Sequence, residues 1–170
     1  EALMNVLENH KTTKAEEEAL KREIGSLKLT REEVKEIVPT IARGSVLGFF
    51  IGVLPGAGAT IASFLAYGME RSIASAKDKL KFGKGSLKGL AAPESANNAA
   101  CSGSFVPLLT LGIPGSGTTA IILGALISYG VQPGPTMYVD SPALFWSVII
   151  SMYIGNLVLL FLNLPMIPYI

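Results

Sequence analysis

Polar and apolar positions in this chain are sorted into long blocks. Charged residues are frequent up to Arg43, absent between Gly44 and Met69, frequent again from Glu70 to Glu94, and then limited to Asp140 as far as Ile170. Apolar runs of about 18 residues or more read as membrane segments. The pattern therefore predicts an all-α membrane protein, with a polar helical connector outside the membrane over 1–43 and a transmembrane region over 44–170. Residues 142–164 read as the plainest transmembrane helix, with Trp146 near one end.

In the polar block, Thr13 with Glu16 and Thr30 with Glu33 have the capping-box spacing, in which hydroxyl and carboxylate reciprocally satisfy free N–H groups at a helix start. Gly25 is expected to end the first of these short helices and Pro39 the second.

Two of the apolar blocks contain helix breakers. Leu54-Pro55-Gly56-Ala57-Gly58-Ala59-Thr60 interrupts the first, and Ile113-Pro114-Gly115-Ser116-Gly117-Thr118-Thr119 the second, 59 residues later. Pro55-Gly56 divides residues 44–69 into arms of 11 and 13 residues, or roughly 16 and 20 Å at 1.5 Å per residue, each short of a hydrocarbon core of about 30 Å. The segment is then either a broken crossing helix or a re-entrant hairpin. Arg71, Lys77, Lys79, Lys81, Lys84 and Lys88 make the following loop basic, and Arg43 closes a basic region before it. Short basic loops stay cytoplasmic, and two cytoplasmic flanks require the stretch between them to enter and return. Before Pro114 the sequence is rich in small residues (Ala96, Ala99, Ala100, Ser102, Gly103, Ser104), which lets helices approach closely. After it, Thr118 to Gly130 is more apolar, and Gln132-Pro133-Gly134-Pro135 makes a rigid turn.

Composition removes several function classes. The net charge is +1 and gives no reason to expect a nucleic-acid partner. The single Cys101 excludes an internal disulfide, and the lone His10 offers no metal cluster. Gly83-Lys84-Gly85-Ser86 lacks the leading glycine of a phosphate loop, since position 78 is Asp. Ile61 and Ala120 stand where a dinucleotide fingerprint needs its third glycine. No catalytic constellation can be assembled, so an enzyme is not expected, and Asp140 before Ser141-Pro142 reads as a helix cap. The chain begins at Glu1 without an initiating Met or a signal peptide and ends directly after an apolar run, and it is expected to be a fragment of a larger membrane protein.

The two loops are the first candidates for chemistry. An unwound backbone in hydrocarbon leaves polar groups unpaired at several kcal/mol each, so it persists only where it is buried in protein or lines a polar cavity. Pro55, Gly56 and Gly58, and likewise Pro114, Gly115 and Gly117, supply the break. Thr60 in the first copy and Ser116, Thr118 and Thr119 in the second sit at the next helix start, where free N–H groups and the positive dipole end suit a carboxylate or another anion. Unwound carbonyls at either tip suit a cation. The second candidate is Ala92-Pro93-Glu94-Ser95-Ala96-Asn97-Asn98-Ala99. Glu94, Asn97 and Asn98 enter small-residue membrane sequence, where such side chains are costly and typically hold a proton, a cation or a polar substrate.

These blocks, in order, resemble the large membrane subunit of the tripartite tricarboxylate transporters: Gly52 to Thr60, Tyr67-Gly68, Ala92 to Ala99, Leu111 to Ala120, and Pro133-Gly134-Pro135. The resemblance covers about Thr30 to Pro135. It implies a multi-pass carrier of the bacterial inner membrane that imports citrate-like di- or tricarboxylates on a cation gradient. Its partners would be a small membrane subunit and a periplasmic solute-binding protein. Secondary active transport of an organic carboxylate is thus the leading expectation, with no cofactor and with Na+ or H+ as the coupling ion. The anion would sit at the helix starts after the two Pro-Gly breaks, and Glu94, Asn97 and Asn98 would serve the coupling ion. A channel or passive pore for small anions is the alternative, since selectivity there also uses exposed backbone at broken helices.

Overall fold

The computed structural model describes residues 28–167, and every regular element among them is helical. In chain order these are α1 (Arg31–Val53), α2 (Gly58–Ile73), the short α3 (Ala76–Lys79), α4 (Leu87–Gly103), α5 (Phe105–Leu111), α6 (Gly117–Ser128), the short α7 (Met137–Asp140) and α8 (Pro142–Met166). Two of them, α1 with 23 residues and α8 with 25, are long and apolar enough to cross a membrane, and α6 is a shorter apolar helix. The chain is an all-α membrane protein, as its charge pattern predicts.

The Thr30 capping box forms as expected: Glu33 N–H donates to the Thr30 hydroxyl at 3.2 Å and Thr30 N–H to the Glu33 carboxylate at 2.7 Å. The pair Thr13 and Glu16, and Gly25, lie outside the described residues. The expected stop at Pro39 is corrected, because α1 runs from Arg31 to Val53 with Pro39 inside it. Proline removes one N–H and crowds the preceding turn at a cost of about 3 kcal/mol, and the packing of the turns that follow holds the helix together. The arms beside Pro55-Gly56 are therefore longer than the apolar stretch: α1 and α2 measure 23 and 16 residues, roughly 34 and 24 Å. In the second unit the arm before the break begins at Leu87, within the charged block, and bends at Ser104 into α5.

Packing rests on small residues. Gly44, Gly48 and Gly52 recur every fourth position on α1 and are buried. They face Ala92, Ala96 and Ala100, which recur at the same interval on α4. Since the facing residues ascend together, α1 and α4 run parallel. A Cβ on Gly48 would collide with the backbone oxygen of Ala96, and one on Gly52 with that of Ala100. This is the close backbone approach that small residues four apart allow between membrane helices.

Helix α2 returns antiparallel to α1 and adds Ala62 and Ala66 to the same alanine core, and Ser63 donates to the Pro93 carbonyl of α4 at 3.2 Å. At the far end of this hairpin Glu70 is 2% exposed. It accepts from the Thr40 hydroxyl at 2.8 Å and from Arg43 at 3.1 and 2.7 Å. Beyond α2, the basic loop is pinned by Lys88, which pairs with Glu36 and Asp78. The Ser75 hydroxyl, with Lys88 and Lys81 adding to it, holds the Asp78 carboxyl below its ordinary pKa.

Two outcomes test this packing by thermal unfolding of the detergent-solubilised full-length protein. Gly48→Ala should destabilise by about 1–3 kcal/mol through overpacking, while Gly68→Ala, whose Cβ meets open space, should be neutral or stabilising by up to about 1 kcal/mol. Glu70→Ala should destabilise by about 1–3 kcal/mol, less than a fully enclosed pair because Arg43 is 42% exposed; the double change with Arg43→Met should recover part of that loss.

Candidate functional site

Both breaks are built by backbone conformation. In the first, Leu54 ends α1 in extended geometry, and Gly56 and Gly58 take φ of 81° and 68°, in the left-handed region that favours glycine. In the second, Gly112 (φ 69°) ends α5, with the Pro133 carbonyl packed where its Cβ would lie. Residues 113–116 then lead into α6. Gly115 is buried against Ser104 and the Gly52 carbonyl. The second loop is thereby seated on the end of the α1–α4 contact.

The two loops meet in one cleft of about 540 Å³. The first contributes Gly56, Gly58, Ala59 and Thr60, and the second Pro114 to Thr119, while Ala100 and Cys101 of α4, with Ser104 and Phe105 at its bend into α5, form the wall between them. Segments 59 residues apart converge because α1 and α4 are parallel and end at the same level. Of the expected loop residues, all but Pro55 line this cleft.

The two helix starts differ. At α6, Ser116 and Thr119 form a reciprocal capping box: Thr119 N–H donates to the Ser116 hydroxyl at 3.2 Å and Ser116 N–H to the Thr119 hydroxyl at 2.8 Å. The Thr119 hydroxyl also donates to the Ser116 carbonyl at 2.9 Å, and Thr119 is 2% exposed. These two hydroxyls therefore hold the helix start in place. At α2, Ala57 occupies the cap position and provides no side-chain acceptor, so the first turn of α2, whose Gly58, Ala59 and Thr60 border the cleft, has N–H groups without a side-chain cap. The hydroxyls of Thr60 and Thr118 line the cleft and make no hydrogen bond to the described residues.

Glu94 and Asn98 do not join this group. They open on a separate cavity with Ser45 and Asn156, while Asn97 lies one turn behind Cys101 and accepts from its thiol at 3.8 Å. Among the described residues no set of three or more His, Cys, Asp or Glu is arranged to hold a metal. Ser104, Cys101 and the Arg43–Glu70 pair are contributions that the sequence reading did not single out. Arg43 precedes Pro55 by 12 residues and Glu70 follows Gly56 by 14, and these near-equal distances carry the signal that the two charges meet.

The cleft is lined by glycines and other small residues of the two helix starts, by Ser and Thr side chains and by Phe105, with no charged side chain. It suits an anion at the helix starts, and leaves that anion's charge to be balanced by something else in the site.

A model of the tripartite tricarboxylate transporter TctA family matches residues 1–170. The chain is similar to an uncharacterized 52.8 kDa protein in the TAR-I ttuC' 3' region of Agrobacterium vitis, at 48% identity over 151 residues, 86% of this chain and 30% of that relative. It is also similar to an uncharacterized protein in the TAR-II ttuC' 3' region of the same organism, at 52% identity over 120 residues, 71% of this chain and 49% of the relative. The chain thus spans less than half the length of each of these curated relatives. No solved structure matches it.

The different roles of the hydroxyls at the second helix start are testable. Ser116→Ala should cost about 1 kcal/mol of stability through loss of the cap, whereas Thr118→Ala should leave thermal unfolding unchanged, both measured on the full-length protein in detergent.

Proposed function

The chain belongs to the tripartite tricarboxylate transporter TctA family, and from that premise we propose that it carries the carboxylate cradle of a secondary active transporter. The observation that supports the reading is the convergence of both Pro-Gly loops on one cleft. The anion would be held by the uncapped first turn of α2 and by the hydroxyls of Thr60 and Thr118. Ser116 and Thr119 would keep the second helix start in position.

Cation coupling is part of the proposal and follows from charge. A di- or tricarboxylate entering a cleft without Lys or Arg leaves its charge uncompensated, and moving unpaired charge out of water is prohibitive. Cations travelling with the substrate remove that barrier. The whole transporter would work as a multi-pass protein of the bacterial inner membrane, with a small membrane subunit and a periplasmic solute-binding protein delivering the carboxylate. Discontinuous helices that present their positive ends to a substrate carboxylate are the arrangement used by other secondary transporters.

Uptake of radiolabelled citrate and related carboxylates by the intact transporter tests this reading. Thr60→Ala and Thr118→Ala should each raise the half-saturating carboxylate concentration by roughly tenfold, the loss of one charge-assisted hydrogen bond of about 1.4 kcal/mol. Wild-type affinity in both variants would remove the cleft from substrate binding. Accumulation against the gradient, abolished by an uncoupler, should separate the carrier from a passive pore.

A further inference from the structure

The segment between α2 and α4 carries unbalanced positive charge. Residues 71–86 hold Arg71, Lys77, Lys79, Lys81 and Lys84 against the single carboxylate of Asp78, and all five cations are exposed. Asp78 is already engaged, by Lys81 and by Lys88, each at 3.5 Å. Among the described residues Arg71, Lys77, Lys79 and Lys84 have no carboxylate partner.

This segment is folded into a ledge. The N–H groups of Lys81, Phe82 and Lys84 donate to the carbonyls of Asp78, Lys79 and Lys81 at 2.9, 3.4 and 2.8 Å, winding it into consecutive turns. Gly83 and Gly85, with φ of 76° and 91°, then bring the chain round into α4. Phe82 is the anchor: it is buried, sets its ring edge-on to Tyr67 of α2 at 5.4 Å, and lies against Gly89 of α4. Leu80, two residues earlier, is 75% exposed. An apolar side chain is thus held in the open between Lys79 and Lys81 by a fold that buries its aromatic neighbour.

The ion pairs set the depth of the ledge. Lys88, at the start of α4, pairs with Glu36 at 3.6 Å, and Glu36 stands seven residues before Arg43 on α1, roughly 10 Å along the helix. Arg43 is the last charge before the apolar stretch. The headgroup layer on each side of a bilayer is roughly 5–8 Å deep, so the ledge stands at headgroup level. Both of its ends continue into helices of the transmembrane region, which keeps its cations at high local concentration beside lipid.

We propose that residues 71–86 bind anionic phospholipid, with Arg71, Lys77, Lys79 and Lys84 on the headgroup phosphates and Leu80 inserted among the upper acyl chains. Basic clusters beside a membrane helix draw anionic lipid, each charge strengthening binding by about fivefold. The leucine adds an apolar foothold that lipid rewards and an acidic protein surface does not. The ledge lies at the opposite end of the α1–α2 hairpin from the cleft, and the inference stands without the transport reading.

Native mass spectrometry of the full-length protein released from detergent, with phosphatidylglycerol or phosphatidylcholine added, tests this. The wild type should half-saturate with phosphatidylglycerol at a concentration roughly tenfold or more below that for phosphatidylcholine. Lys79→Gln combined with Lys84→Gln should raise the phosphatidylglycerol concentration by roughly 25-fold and leave the phosphatidylcholine value in place. The same pair changed to Arg should keep wild-type binding, and Leu80→Ser should weaken both lipids. Thermal unfolding in detergent without added lipid, equal in all variants, controls for folding. Equal binding of the two lipids by the wild type overturns the proposal, as does wild-type phosphatidylglycerol binding in the double Gln variant. Displacement of the lipid by millimolar inorganic phosphate also overturns it, because the cations would then serve a soluble anion.

Discussion

The contact between Gly44, Gly48 and Gly52 of α1 and Ala92, Ala96 and Ala100 of α4 is the constraint on which the rest of the arrangement depends. In a bilayer, helices gain nothing by hiding apolar side chains from water, so association rests on dispersion and close fit. Removing side chains from the interface lets two backbones touch over several turns. That contact aligns the ends of α1 and α4 and brings two distant Pro-Gly loops to one level. It also leaves α2 a groove of alanines to return along. The Arg43–Glu70–Thr40 cluster closes the other end of the hairpin, so its arms are tied at both ends.

Function in this architecture is a matter of where charge is left unanswered. At the charged end of the hairpin Glu70 is fully paired, and Lys88 answers Glu36 and Asp78. At the tip the first turn of α2 has N–H groups without a side-chain cap. In the transport reading this unmatched positive helix end is met by the substrate carboxylate. The capped start of α6 provides contrast, since Ser116 and Thr119 satisfy each other and make that loop the firmer of the two.

The membrane helices and both breaks were legible because charge depletion and proline act locally. The convergence of the loops was not, since it depends on α1 and α4 being parallel, and no local feature reports the direction of a neighbour. The glycine stripe was present in the sequence at four-residue spacing, but glycine and alanine carry little hydropathy and small residues drew notice only on α4. Pro39 was misread for the opposite reason: a strong local signal was overruled by the packing of the turns that follow it. The loop hydroxyls looked alike in sequence, yet their roles divide according to whether the cap position holds Ser116 or Ala57. Asn156 sat unremarked in an apolar helix because a single amide barely changes a hydropathy average.

The spacing of the glycine stripe also limits how α1 and α4 could ever move past one another. Each glycine of α1 faces an α4 residue 48 positions later, and offsets between these settings press alanine methyl groups into backbone. The next register free of collision sets Gly48 beside Ala92 and Gly52 beside Ala96, a shift of about 6 Å. The contact therefore acts as a toothed rack that resists small slippage and admits displacement only by whole teeth. One loop rides on each side of that rack, so a single step would change the width of the cleft by an amount set by the helix pitch and not by the cargo.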